Sequence, residues 1–168
     1  LDTLLNLARN SERGATEEVV DVAEVVSGRA EAWRQAASRA GITLVVEGDE
    51  GVLTETDRTI LESALDAVID NAVKFSPSGT RVVLAVADST DGAEIVVRDH
   101  GPGVGADELA HLTERFWRSP RNRSTPGSGL GLAIAADLLT SIGGGLRVES
   151  PDGGGLAVHL RLPKGGSS

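Results

Sequence analysis

The chain has 168 residues, 40% hydrophobic and 24% charged, which suits one globular domain with its own core. A net charge of −9 argues against nucleic acid as a partner and against direct contact with an anionic membrane, and no apolar run reaches spanning length. Without cysteine there is no disulfide or thiolate chemistry, and the three histidines lack zinc-like spacing.

Residues 1–9 read as the end of an amphipathic helix, with Leu1, Leu4, Leu5 and Ala8 on one face. A polar stretch containing Gly14 follows as a linker. The reading divides the chain into a leading unit, 1–14, a domain, 15–163, and a disordered tail, 164–168. A start at Leu1, with no methionine and no secretory or targeting pattern, reads as a piece of a longer protein. In the domain, 17–22 suit a short strand, and 23–40 a helix that Gly41 ends in the C′ position. The β-branched alternation of 42–47 predicts a strand, and 48–51 a turn. Asp57 is an N-cap for a helix reaching about Phe75, with Leu61, Leu65, Val68 and Ala72 as its buried stripe. Residues 81–87 and 93–98 form a hairpin across Ser-Thr-Asp-Gly. Residues 101–128 show weak periodicity, and so long a loop in a compact domain is either functional or disordered. A helix over 130–142 ends in glycines at 143–145, and strands follow at 146–150 and 156–162. His159 alternates onto the polar face of the last strand with Arg161, which predicts an exposed strand histidine. Strands and helices that do not simply alternate predict an α+β fold, a sheet with helices on one face.

Four segments carry candidate chemistry, each with an ordinary structural reading beside it. Asn71 and Lys74 are three apart on a helix and project together. An amide oxygen can join a magnesium shell and a lysine can meet phosphate, although both residues are commonplace on an exposed helix face. Asp99 ends a strand before His-Gly101-Pro-Gly103, where a carboxylate can accept from an exocyclic amine and glycine lets a flat ring approach. The same residues also make a plain Pro-Gly turn, and His100 reads as a loop residue. Glu-Arg-Phe116-Trp117-Arg118 puts adjacent aromatics in a polar stretch, and Arg115, Arg118, Arg121 and Arg123 fall within nine positions of an acidic chain. A short amphipathic helix docking by its aromatics explains the segment equally well. Finally, Gly127, Gly129 and Gly131 alternate just where a helix begins. Interior glycine costs a helix on the order of 1 kcal/mol against alanine, and exposed N–H groups at a helix start suit phosphate. No Lys-Ser or Lys-Thr pair follows, so this is not a P-loop; Leu132 stands where a dinucleotide fingerprint needs its third glycine.

In this order and spacing the four segments resemble the N box, first glycine box, F box and second glycine box of one family, the ATP-binding catalytic domain of bacterial sensor histidine kinases. Leu4-Leu5-Asn6-Leu7-Ala8-Arg9 also resembles the end of that family's second dimerisation helix. The resemblance implies a Bergerat-type α/β sandwich, a mixed sheet with helices on one face and a long ATP lid at 101–128. It implies ATP and Mg2+ as cofactors, with Asn71 on the metal and Lys74 on the phosphates. Asp99 would take the adenine amine in a pocket shaped by Gly101 and Gly103. Arg118 and Arg121 would steady the phosphates from the lid, and Gly127, Gly129, Leu130 and Gly131 would hold them at the helix start. The implied reaction is transfer of the γ-phosphate to a histidine on a dimerisation helix, with ATP and ADP, the kinase's own helices and a response regulator as partners. The implied location is cytoplasmic, in a parent anchored in the cell membrane.

Four positions depart from the family pattern. Ala67 stands where a second asparagine is common, Ile142 where a histidine often precedes Gly-Gly, and Gly155-Leu156 where Gly-Thr is common. His100, His111 and His159 all lack the context of a phosphoacceptor, so this piece is expected to bind nucleotide without phosphorylating itself. The rival readings are an anti-sigma-factor serine kinase, a gyrase-like ATPase, and a degenerate nucleotide-binding module, for which Ala67 speaks.

Overall fold

A computed structural model of the chain describes residues 17–101, 131–151 and 154–163. The leading unit, most of the expected lid and the tail lie outside the described residues. So do Gly103, Arg118, Arg121, Gly127, Gly129 and Leu130.

Strand β1 (Glu18–Asp21) runs straight into helix α1 (Val22–Arg39). The junction is set by Asp21, whose side chain accepts from the Glu24 N–H at 3.2 Å and caps the helix. At the other end Gly41 takes a φ of +78°, the left-handed geometry expected of a C′ glycine. Strand β2 (Thr43–Gly48) follows, then β3 (Leu53–Thr56), which pairs antiparallel with β1 as a separate two-stranded ribbon.

Asp57 caps helix α2 (Arg58–Phe75) by accepting from the Ile60 N–H at 3.1 Å. The predicted stripe is buried: Leu61, Leu65 and Val68 are at 0% exposure and Ala72 at 3%. Strands β4 (Arg81–Ser89) and β5 (Gly92–Arg98) form the expected hairpin, in which Ser89 faces Gly92. Helix α3 (Gly131–Ser141) then leads to β6 (Gly145–Glu149) and β7 (Ala157–Pro163).

Five strands make one mixed sheet in the order β2-β4-β5-β7-β6, with only β2 and β4 parallel. Alternation sorts its side chains between two faces. One register row reads Val46, Leu84, Val97, Val158, Val148, and the next Gly48, Val86, Ile95, Leu160, Leu146. These rows, with Leu44, Val82, Ala93 and Leu162 beside them, carry the sheet's share of the core, and all three helices lie over this face. The opposite face, with Val83, Ala85, Val96 and His159, has no helix among the described residues. The fold is therefore the expected α+β sandwich with helices on one face.

A half-buried ion pair sets the helices side by side. Arg29 on α1 donates twice to Asp66 on α2, at 2.8 and 3.0 Å, and the Trp33 indole N–H donates to the same carboxylate at 3.0 Å. Such bidentate geometry fixes orientation as well as distance.

Strand β3 carries an inverted pattern, polar inside and apolar outside, that hydrophobicity does not mark as a strand. Leu53 is 61% exposed, whereas Thr54 and Thr56 are buried at 2% and 1%. The Thr54 hydroxyl donates to the Pro163 carbonyl at 2.7 Å, tying the ribbon to β7. A hydroxyl with a built-in acceptor can be buried in a place that hydrophobicity would not assign to it.

This assignment of faces has a direct check. Leu65→Ala should lower unfolding free energy by about 2–5 kcal/mol through loss of burial and a cavity. Leu53→Ala should stay within about 0.5 kcal/mol, as at other exposed positions. Urea unfolding followed by tryptophan fluorescence measures both, and equal losses would show that the inside of the ribbon has been misplaced.

Candidate functional site

The site is built on the C-terminal half of α2. The buried stripe ends with Ala72 and Val73, which leaves Ala67, Asp70, Asn71 and Lys74 on its flanks, exposed or half-buried. Lys74 does not stand alone: its amine pairs with Asp70 at 3.0 Å, one turn back. Both side chains are about 40% exposed, and so open a pair holds with less than about 1 kcal/mol, weak enough for the amine to exchange partners. The Asn71 amide has no hydrogen-bond partner among the described residues.

Asp99 continues the alternation of β5 past its end and so falls on the helix side of the sheet, 3% exposed. Two backbone N–H groups converge on its Oδ1, from Gly101 at 2.9 Å and from Leu156 at 3.1 Å. Its own N–H donates to the Leu156 carbonyl at 2.9 Å. Burial pushes the carboxyl above its ordinary value near 3.8, while these two N–H groups and the neighbouring His100 pull it back. A carboxylate kept dry, with one oxygen already supplied with donors, is suited to receiving one more donor from a ligand.

Two glycines allow this packing. A Cβ on Gly101 would lie 2.5 Å from the Phe75 carbonyl oxygen, so the chain after Asp99 presses against the last turn of α2. Gly155, at φ +78°, rides on the Asp99 carbonyl so closely that any Cβ would overlap it. Gly131 opens α3 beside α2, where a Cβ would sit 3.6 Å from the Ala67 carbonyl oxygen.

The structure thus gathers Asn71, Lys74, Asp99, Gly101 and Gly131 around one stretch of α2 from Ala67 to Phe75. Sequence reasoning missed Leu156 as a functional position. Its contribution is a backbone N–H, and the signal was present as a departure from the Gly-Thr pattern. Leucine here changes the side chain and leaves the N–H in place.

His159 is corrected. Its side chain is only 13% exposed and is held between two carboxylates, Glu94 at Nδ1 and Glu149 at Nε2, the latter at 2.6 Å. Register explains this: β5, β7 and β6 bring all three onto one face, and Arg147 lies directly across from His159. The His159 hydrogen bond holds the Glu149 carboxyl below its ordinary value. This cluster faces away from Asp99.

The sequence profile of the family described as "Histidine kinase-, DNA gyrase B-, and HSP90-like ATPase" matches residues 56–166. The swarming motility regulation sensor protein RssA of Serratia marcescens is 40% identical over 73% of this chain and 26% of its own length. The signal transduction histidine-protein kinase/phosphatase MprB of Mycolicibacterium smegmatis is 38% identical over 95% of this chain and 33% of its own length. The chain therefore spans a third or less of these relatives. A solved structure of a mycobacterial sensor histidine kinase MprB superposes with a TM-score of 0.77 at 36% identity, covering 90% of this chain and all of that one.

Asp99 generates a stability prediction. Its folded pKa is raised, so the folded state holds the proton more tightly and the charged form subtracts from stability as pH rises past about 4. Asp99→Asn should be at least as stable as the parent at pH 7, with the difference closing as pH falls toward 4. Asp99→Ala should lose on the order of 1–3 kcal/mol at every pH, because two buried N–H groups lose their acceptor. Urea midpoints across pH measure this, and an Asn variant as unstable as the Ala variant would overturn the role given to Oδ1.

Proposed function

Because the chain belongs to the histidine kinase-, DNA gyrase B- and HSP90-like ATPase family, as an ATP-binding catalytic domain of a sensor histidine kinase, we propose that it positions the γ-phosphate of ATP for transfer to a histidine on a dimerisation helix of the same kinase. The observation that carries the reading is the dry Asp99 carboxylate, set against the same helix end that presents Asn71, whose amide has no partner among the described residues.

Asp99 Oδ2 receives the adenine amine while Oδ1 keeps its two backbone donors, and Gly101 and Gly103 leave room for the ring. Asn71 would hold Mg2+ through its amide oxygen. A single half-exposed amide oxygen fits magnesium, which binds few protein oxygens and relies on phosphate and water for the rest. Lys74 leaves Asp70 for a phosphate oxygen. Arg118 and Arg121 add charge from the lid, and the N–H groups at Gly127, Gly129, Leu130 and Gly131 meet the phosphates at the start of α3.

In the transfer, an imidazole nitrogen of the acceptor histidine forms the new bond to the γ-phosphorus. The bond from that phosphorus to the bridging oxygen breaks, and ADP leaves with its electron pair. Positioning and charge neutralisation are the main demands of such a step. Bound metal supplies charge neutralisation at the phosphates. The phosphoryl group passes next to a response regulator, and the parent protein is anchored in the cell membrane with this domain in the cytoplasm. Among the described residues no helix is long and apolar enough to cross a membrane.

Ala67 favours a second reading, a nucleotide-binding module with weakened metal coordination. Calorimetric titration of ADP and a non-hydrolysable ATP analogue, with and without magnesium, separates the two. The kinase reading expects magnesium-dependent binding that Asn71→Asp weakens about tenfold or more, close to 1.4 kcal/mol per decade. It further expects phosphotransfer once the histidine helix is supplied in trans. Binding without transfer supports the module.

A role for Asp99 in reading adenine has its own test. Asp99→Asn should weaken ATP far more than GTP, because only the adenine amine donates to a carboxylate at that position. Competition binding measures the ratio, and equal losses would remove Asp99 from base recognition.

A further inference from the structure

We propose that an open surface depression on the helix-free face of the sheet, lined by Thr43, Val45, Gly79, Thr80, Arg81 and His100, binds a small oxyanion, either a phosphate or a carboxylate group. Its volume is about 440 Å³, large enough for a small organic anion.

Register builds the cavity. Thr43 and Arg81 are paired across the parallel strands β2 and β4, so both side chains leave the same face at one end of the sheet. The neighbouring residues Leu44 and Val82 are buried on the helix side, which fixes that face as the outer one. His100 follows Asp99 and turns the other way. Its Nδ1–H donates to the Arg81 carbonyl at 2.8 Å, which orients the ring and leaves Nε2 as its second polar atom.

The electrostatics are unusual for a chain of net charge −9. Arg29, Arg34, Arg58, Lys74 and Arg147 each have a carboxylate partner within 4 Å. Among the described residues Arg81, like Arg39 and Arg161, has none, and what sets Arg81 apart is that it lines a depression in which no carboxylate stands. The Arg81 guanidinium, with the Thr43 hydroxyl on the paired strand, offers forked donors to an oxyanion and little to a cation. The Thr80 hydroxyl donates to the Pro77 carbonyl at 2.7 Å, which leaves it as a fixed wall, whereas the Thr43 hydroxyl has no such tie among the described residues.

The test is a pair of titrations of the isotope-labelled chain followed by amide NMR. Sodium phosphate and sodium malonate are added separately, with sodium chloride at matched ionic strength as the reference. The expected result is saturable shifts at Thr43, Arg81 and His100, with at least one of the two anions half-saturating in the low millimolar range. Saturation by phosphate alone assigns the site to phosphate groups, and by malonate alone to carboxylates. Arg81→Gln should weaken binding about tenfold by removing the forked donor. Thr43→Val, which keeps a β-branched strand residue, should weaken it about threefold for one lost neutral hydrogen bond. Asn71→Asp should leave these shifts unchanged, which separates the cavity from any phosphate held at the nucleotide site. Shifts that fail to saturate, that chloride reproduces, or that survive Arg81→Gln at full strength would overturn the proposal.

Discussion

The constraint on which the molecule turns is the burial of one carboxylate. Asp99 sits at the end of a central strand, 3% exposed, and its charge is tolerated because two backbone N–H groups from separate segments reach the same oxygen. Each donor imposes geometry on its own segment. The Gly101 N–H requires the chain to fold back over the end of α2, and the Leu156 N–H requires the last strand to start beside the strand that Asp99 ends. Side chains would obstruct both approaches, which accounts for glycine at 101 and 155. An unpaired ionised group in so dry a place would take up a proton instead.

Helix α2 meets two sets of demands with one period. Its apolar stripe is buried between the sheet and its neighbour helices, and the residues just off that stripe form the candidate site. Core and chemistry therefore share a backbone, and rigidity in one is inherited by the other. Few exposed contacts could position an amide oxygen as well as a helix whose opposite side is fully packed. The Arg29–Asp66–Trp33 bridge adds rotational control by clamping α2 to α1 just ahead of the site.

Much of this was legible in the residues themselves. The N-cap at Asp57, the stripe from Leu61 to Ala72, the hairpin across 89–92 and the glycine stop after α3 each follow from a local rule, and each appears where that rule places it. The site segments were legible as chemistry because their residue types recur at helix and strand ends, where backbone donors or amide oxygens come free. What escaped was non-local. The buried Thr54 of β3 makes sense only through the Pro163 carbonyl, 109 residues away. The enclosure of His159 depends on Glu94 and Glu149 arriving from two other strands. The Leu156 N–H carries no side-chain signature. In each case the partner is supplied by register, which no short window of sequence contains.

One topological fact carries a consequence of another kind. β2 and β4 are the parallel pair, and the chain between them comprises β3 and α2. A parallel pair cannot close through a tight turn; it needs a crossover, and here the crossover is the helix that bears Asn71 and Lys74. In the folded chain the pairing of the edge strand with β4 therefore goes together with that helix lying across the sheet. The sheet edge and the site thus share one connection, so a change in the length or angle of α2 reaches both.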